Sequence, residues 1–146
     1  MKPLIKTGGN KVAAGALERL NSSIDNSPTR RGTAAASIPG PAHKAVMFDA
    51  DGNIAIATSG EVAVGVILSA TVDPVVEGRD VHYLIKHIGL VEAGAPIAMG
   101  ALVTVNGSGQ VIPAASGDFI FGRAFDVATA AGQVIHVQIN QMGYMA

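Results

Sequence analysis

Cysteine and tryptophan are absent from the 146 residues, and aromatic side chains make up only 4% of them. Without cysteine there is no disulfide scaffold and no thiolate metal site, while a reducing cytosol and a virion both stay compatible with the chain. Charge is also sparse, at 14% of residues against 49% hydrophobic. A core must therefore be built from Ala, Val and Ile with 18 glycines at its corners, a vocabulary that favours many short strands over long helices. No apolar run approaches the roughly 20 residues needed to cross a bilayer. The longest, Val62 to Val72, includes Ser69 and Thr71 and stops at Asp73. The opening Met1-Lys2-Pro3-Leu4-Ile5-Lys6 lacks the apolar centre of a signal peptide. A soluble chain with no membrane partner and no secretion route is expected.

Motifs that carry chemistry are missing as well. No Ser sits in a Gly-x-Ser-x-Gly elbow, and no Gly-rich turn ends in Gly-Lys-Ser/Thr. The histidines at 43, 82, 87 and 136 have no metal-ligand spacing; His82 and His87, read as one strand, point to opposite faces. Asp49-Ala50-Asp51-Gly52-Asn53 begins like a calcium loop, but that loop requires Gly at its sixth position and Glu at its twelfth, and here Ile54 and Gly60 stand there. Asp-Gly between two apolar runs is instead a hairpin signal. These readings leave no catalytic, cofactor-binding or metal site, and the expectation is a protein that is not an enzyme and carries no cofactor.

The charge that is present is segregated. Residues 1–44 hold seven basic side chains against Glu18 and Asp25, a net +5, whereas residues 45–146 hold Arg79, Lys86 and Arg123 against nine carboxylates, a net −6. Prolines at 3, 28, 39 and 41 also crowd the first segment. These shifts divide the chain into an amino-terminal arm, 1–44, extended or without much structure of its own, and a β-rich body, 45–146. Leu17, Leu20 and Ile24 allow one short helix over 11–24 within the arm. A basic arm on an acidic body points to attachment on a partner surface, with Lys2, Leu4, Ile5, Lys6, Lys11, Arg30 and Arg31 as the candidate contacts. Nucleic acid is a poor fit as that partner, because the body is acidic and its aromatics are not interleaved with base.

In the body, turn signals recur every eight to twelve residues, from Asp51-Gly52 to Ala131-Gly132, and between them lie runs of strand length. These are Ile54 to Ile56, Val62 to Leu68, Val81 to Ile88, Ala101 to Val105, Gln110 to Ile112, Phe119 to Phe125 and Gln133 to Ile139. The spacing predicts an all-β fold, a compact barrel or sandwich. A faint internal repeat runs through it. A shift of 57 places Gly52 on Gly109, Ala57 on Ala114 and Gly65 on Gly122; a shift of 54 places Gly78 on Gly132, His82 on His136, Ile85 on Ile139 and Gly89 on Gly143. Chance alignment of Gly- and Val-rich hairpins is the competing explanation.

The run Glu92-Ala93-Gly94-Ala95-Pro96-Ile97-Ala98-Met99-Gly100-Ala101-Leu102-Val103-Thr104-Val105 is followed by Gly109-Gln110-Val111-Ile112-Pro113-Ala114, then Gly122-Arg123-Ala124 and Ala131-Gly132-Gln133-Val134-Ile135-His136-Val137. This pattern resembles the capsid decoration, or cement, proteins of tailed bacteriophages, similar to the lambda-type head decoration protein. The likeness is strong over the last third of the chain and looser over Val46 to Gly65. It implies a β-clip or β-tulip body assembled as a homotrimer, with an arm lying on the major capsid protein, so that the chain is made in the host cytoplasm and ends on the capsid surface of the virion. Small β-clip domains that bind carbohydrate or accompany enzymes share some of these words and form the alternative. Lipoyl-type barrels do not fit, because the hairpin Asn106 to Gly109 offers no lysine.

Overall fold

The computed structural model describes residues 28–146, apart from Gly60 and Ala70. The described residues form ten strands and no helix. Thr29–Thr33 (β1), Ala45–Phe48 (β2), Ile54–Ile56 (β3), Gly65–Ile67 (β4) and Asp80–Leu84 (β5) make one antiparallel sheet in the order β1-β5-β4-β2-β3. His87–Glu92 (β6), Leu102–Val105 (β7), Val111–Pro113 (β8), Gly122–Ala124 (β9) and Val134–Ile139 (β10) make a second in the order β6-β10-β9-β7-β8. The two orders are the same topology written twice.

The duplication extends to individual bonds. Asp49 accepts the N–H groups of Asp51 and Asn53 in the β2–β3 hairpin, and Asn106 accepts those of Ser108 and Gln110 in the β7–β8 hairpin. An amide does the work of the carboxylate, so this loop is a turn built on a side-chain acceptor rather than a cation cage. Val64 donates to Val46 as Phe121 donates to Val103, and Leu68 donates to His82 as Phe125 donates to His136. Gly65 and Gly122 occupy matched positions for a matched reason. A Cβ on Gly65 would run into the Leu84 carbonyl oxygen, and one on Gly122 into that of Gln138, its counterpart at the 54-residue shift. The faint repeat of the sequence is therefore a repeat of structure, except for its pair Gly89 and Gly143, because Gly89 already lies on β6 of the second unit.

Each sheet curls almost into a barrel. Ala34, just past β1, pairs in parallel with Ile54, and the Ala35 N–H donates to the Ile54 carbonyl at 2.8 Å; Ala93 and Val111 repeat the pairing, with Gly94 donating at 2.8 Å. Edge strands are thereby tied to each other, which limits exposed ladder groups. The first barrel encloses Ala34, Ile38, Val46, Ile54, Ile67, Val75, Val81 and Tyr83. The second core is larger, because Ala45, Ala57, Ala63 and Val66 from the outer side of the first unit join it. Packing inside the barrels is complementary by size: Gly32 leaves room for Ile54, and the second unit fills the matched places with Val91 and Val111, both fully buried.

Several sequence expectations are corrected. Residues 28–44 do not belong to an arm. β1 pairs along its length with β5, and Ala34 and Ile38 are buried in the first core. The prolines and basic residues there look like linker composition, but the alternation needed for a strand is masked by Gly32 and by arginines on a two-sided polar strand. The segment 1–27, with the helix expected over 11–24, lies outside the described residues. The run Val81 to Ile88 is not one strand: it breaks at Ile85-Lys86, where the chain passes from one unit to the next, so His82 and His87 belong to different sheets. The runs Val62 to Leu68 and Phe119 to Phe125 shorten to β4 and β9.

The close approach at Gly122 has a measurable consequence. Gly122→Ala should destabilise the protein by about 3 kcal/mol, since the backbone of β10 must give way, whereas Gly107→Ala, which meets nothing within 4 Å, should stay within about 0.5 kcal/mol of the parent. Urea denaturation of the two variants checks the contrast.

Candidate partner-binding surfaces

The seam between the units is polar at its rim. Lys44 of the first unit places its ammonium 3.3 Å from the Glu92 carboxylate of the second, with side chains 17% and 22% exposed. Gln110 donates to the other carboxylate oxygen, and Asn106 donates to Gln110 at 3.0 Å. Lys44 also donates to the Gly40 carbonyl, and the Glu92 N–H donates to the His43 carbonyl. Mostly removed from water, the pair is held by enough hydrogen bonds to offset its desolvation. His43 sits at φ 67°, where the second unit has Gly100 at φ 80°. The histidine accepts this left-handed backbone and brings its ring to the Leu90 carbonyl at 3.3 Å, a contact across the seam that glycine cannot make.

Of the candidate contacts read from the sequence, Lys2, Leu4, Ile5, Lys6 and Lys11 lie outside the described residues. Arg30 and Arg31 are placed on β1, both exposed, and being consecutive on a strand they face opposite sides of the sheet. The structure does not bring them into one basic patch. Arg31 approaches Asp80 at 3.7 Å, an exposed pair that adds little to stability.

The outward faces of the two sheets differ in chemistry although their strands correspond. On the first, Arg31 lies opposite His82, beside Asp80. On the second, Leu90 lies opposite His136 and Gln138 opposite Ile88, and Ile88, Leu90, Val134 and Phe125 are exposed there. Duplicated strands thus present a charged face in one unit and, in the other, a face where exposed Ile88, Leu90 and Val134 stand beside Arg123 and His136. A groove of about 760 Å³ opens under the β4–β5 loop, lined mainly by Leu68, Val72, Pro74, Val75 and Val76, with Arg79 and His82 at its edge. None of its lining residues among those described is aromatic.

No family model matches the chain, and no curated protein matches it. Among solved structures, the chain is similar to the head fiber gp8.5 N base of bacteriophage phi29, at 20% identity and a TM-score of 0.59, over 81% of this chain and 97% of that one. The likeness is one of fold: it spans both barrels and nearly the whole of the phage domain.

Next to this face of the second unit, Asp126 receives the His136 backbone N–H at 2.9 Å and lies 2.6 Å from its ring. The backbone hydrogen bond first, and the ring second, hold the Asp126 carboxyl below the ordinary carboxylate range. A depressed carboxylate contributes stability that is present above its unfolded pKa and lost as pH falls through the folded value. In an NMR titration the Asp126 carboxyl should give a midpoint below the ordinary aspartate range; a midpoint within that range contradicts the pairing. Glu92 and Gln110 fall within the pattern that resembles the decoration proteins, but nothing in that pattern marked any of the four seam residues as a joint between units. Their one signal was the 57-residue shift, which lays Asn106 over Asp49 and Gln110 over Asn53. Glu92→Ala should cost about 2 kcal/mol, the order of a hydrogen-bonded charge pair, read as a lower urea midpoint, and a midpoint unchanged from the parent would show that the seam does not depend on it.

Proposed function

We propose that the chain is a structural protein of a bacteriophage head, held on the outer capsid surface as a homotrimer, and that it does no catalysis. The observation that carries this reading is the two-barrel architecture, which over 81% of this chain is similar to 97% of the base of a phage head fiber. Two further features support it. The described surface offers a chemically asymmetric pair of sheet faces, suited to contact with other proteins, and the sequence places a net +2 on residues 1–27, ahead of the first barrel. The carboxy-terminal pattern that resembles capsid decoration proteins falls on β6 to β10, the second unit. The decoration and fiber-base readings agree on a body seated on the shell.

The partner in this reading is the major capsid protein. A basic amino-terminal segment gains from acidic shell surface through long-range attraction, which acts on association rate and fades with salt. Copies joined in a trimer multiply weak individual contacts. Such a protein stabilises a head by adding buried area across joints that internal pressure would open.

Heads assembled from the major capsid protein of the phage that carries this chain should carry it down on co-sedimentation. Lys2→Glu with Lys6→Glu should lower occupancy at low salt several-fold and flatten its salt dependence, with the body still folded. Absence of binding to such heads, together with a saturable glycan ligand in an array, would replace this reading with the carbohydrate-binding one.

A further inference from the structure

The two units of the chain meet in a contact that is not reciprocal. The tip of the second hairpin enters the first unit, where the Gly109 carbonyl accepts the Ala45 N–H at 2.7 Å, and a Cβ on Gly109 would lie 3.1 Å from Ile56. If a two-fold axis related the units, the first hairpin would enter the second unit in the same way. It does not. Gly52, the counterpart of Gly109, is exposed and meets nothing within 4 Å. One tip and one receiving edge are therefore consumed within the chain, while the other tip, on the first unit, and the other edge, on the second, are left over.

The leftover halves carry the marks of vacated contact. Phe48 on the free hairpin is 53% exposed, whereas Val105, at the same place on the docked hairpin, is 1% exposed. On the receiving side, Ala45 and Ala57 are buried in the first unit, but their counterparts Leu102 and Ala114 are only half-buried, and Pro113, the counterpart of Ile56, is exposed. We propose that the free hairpin Phe48–Asn53 of one copy docks on the Leu102–Pro113–Ala114 edge of a second copy, repeating between chains the contact that joins the two units within one. The occupant is a second copy because the chain already shows which surface fits this hairpin and carries a spare version of it.

A contact of this kind is heterologous: each copy gives one face and receives with another, so the assembly closes into a ring or runs on as a fibre. The inference rests on the self-association in the proposed function and supplies the surface for it; it does not depend on what the ring is seated upon. Capsid co-sedimentation and the measurements below can therefore fail separately.

Sedimentation of the full chain should show a closed oligomer that Phe48→Asp and Pro113→Arg each reduce to monomer, with a dissociation constant raised at least tenfold. Because each variant keeps the face that the other has lost, an equimolar mixture should form a 1:1 complex. Since the chain has no cysteine, Asp51→Cys combined with Pro113→Cys should cross-link between copies through a short bismaleimide, and neither single variant should. A parent chain that sediments as a monomer overturns the proposal. So does a Phe48→Asp oligomer of unchanged size, which would mean that Phe48 is covered by residues 1–27 or lies off the interface. Cross-linking by the Asp51→Cys variant alone would show an isologous contact and overturn it equally.

Discussion

Neither five-stranded sheet can bury both of its faces alone, and the packing of the outer side of the first unit on the second is what completes the core. Strands of three to six residues enclose only a thin barrel, so a chain of Ala and Val without tryptophan gains stability by making one barrel the wall of the other. Leu84 shows how tightly this is done. Its side chain lies where a Cβ on Gly89 would be, beside Ile139, so a strand of the second unit carries glycine to admit a leucine of the first. The seam network of Lys44, Glu92, Gln110 and Asn106 then fixes the register of the two units with polar groups that water alone would satisfy less specifically.

The all-β class was legible in the turn spacing and in the scarcity of long helical patterns, and the strands nearest ideal alternation, β3 and β10, were placed within a residue. β1 was not, because Thr29-Arg30-Arg31-Gly32-Thr33 has no apolar side chain with which to announce a buried face; it is held by pairing with β5 and by the space that Gly32 leaves for Ile54. The break at Ile85-Lys86 was also invisible, since apolar residues continue through it and only the duplicated topology reveals where one unit ends. The repeat itself was readable at Gly52/Gly109, where a left-handed backbone favours glycine, and at Gly65/Gly122, where a Cβ would strike a neighbouring carbonyl. Elsewhere the two copies share shape rather than residue identity, as Gly32 with Ile54 and Val91 with Val111 fill equal space in different ways.

Duplication also explains how one small protein acquires unlike surfaces. Corresponding strands keep their inward residues apolar, because both barrels need filled cores, and the outward residues are released from that constraint. Arg31, Asp80 and His82 on one sheet face and Leu90, Val134 and His136 on the other are the result. In a body proposed to sit on a shell and beside its own copies, two such faces provide for two kinds of neighbour, while the non-reciprocal join between units leaves one hairpin tip and one receiving edge for a third contact.

The central claim is that this two-barrel body is seated on the outside of a phage head. Electron cryomicroscopy of heads assembled from the major capsid protein of the same phage, with and without this chain, tests it most directly. The account predicts added density outside the shell into which residues 28–146 fit as a rigid pair of barrels around a three-fold axis. Heads that show identical density in both preparations, under conditions where the chain is folded and in excess, would contradict it.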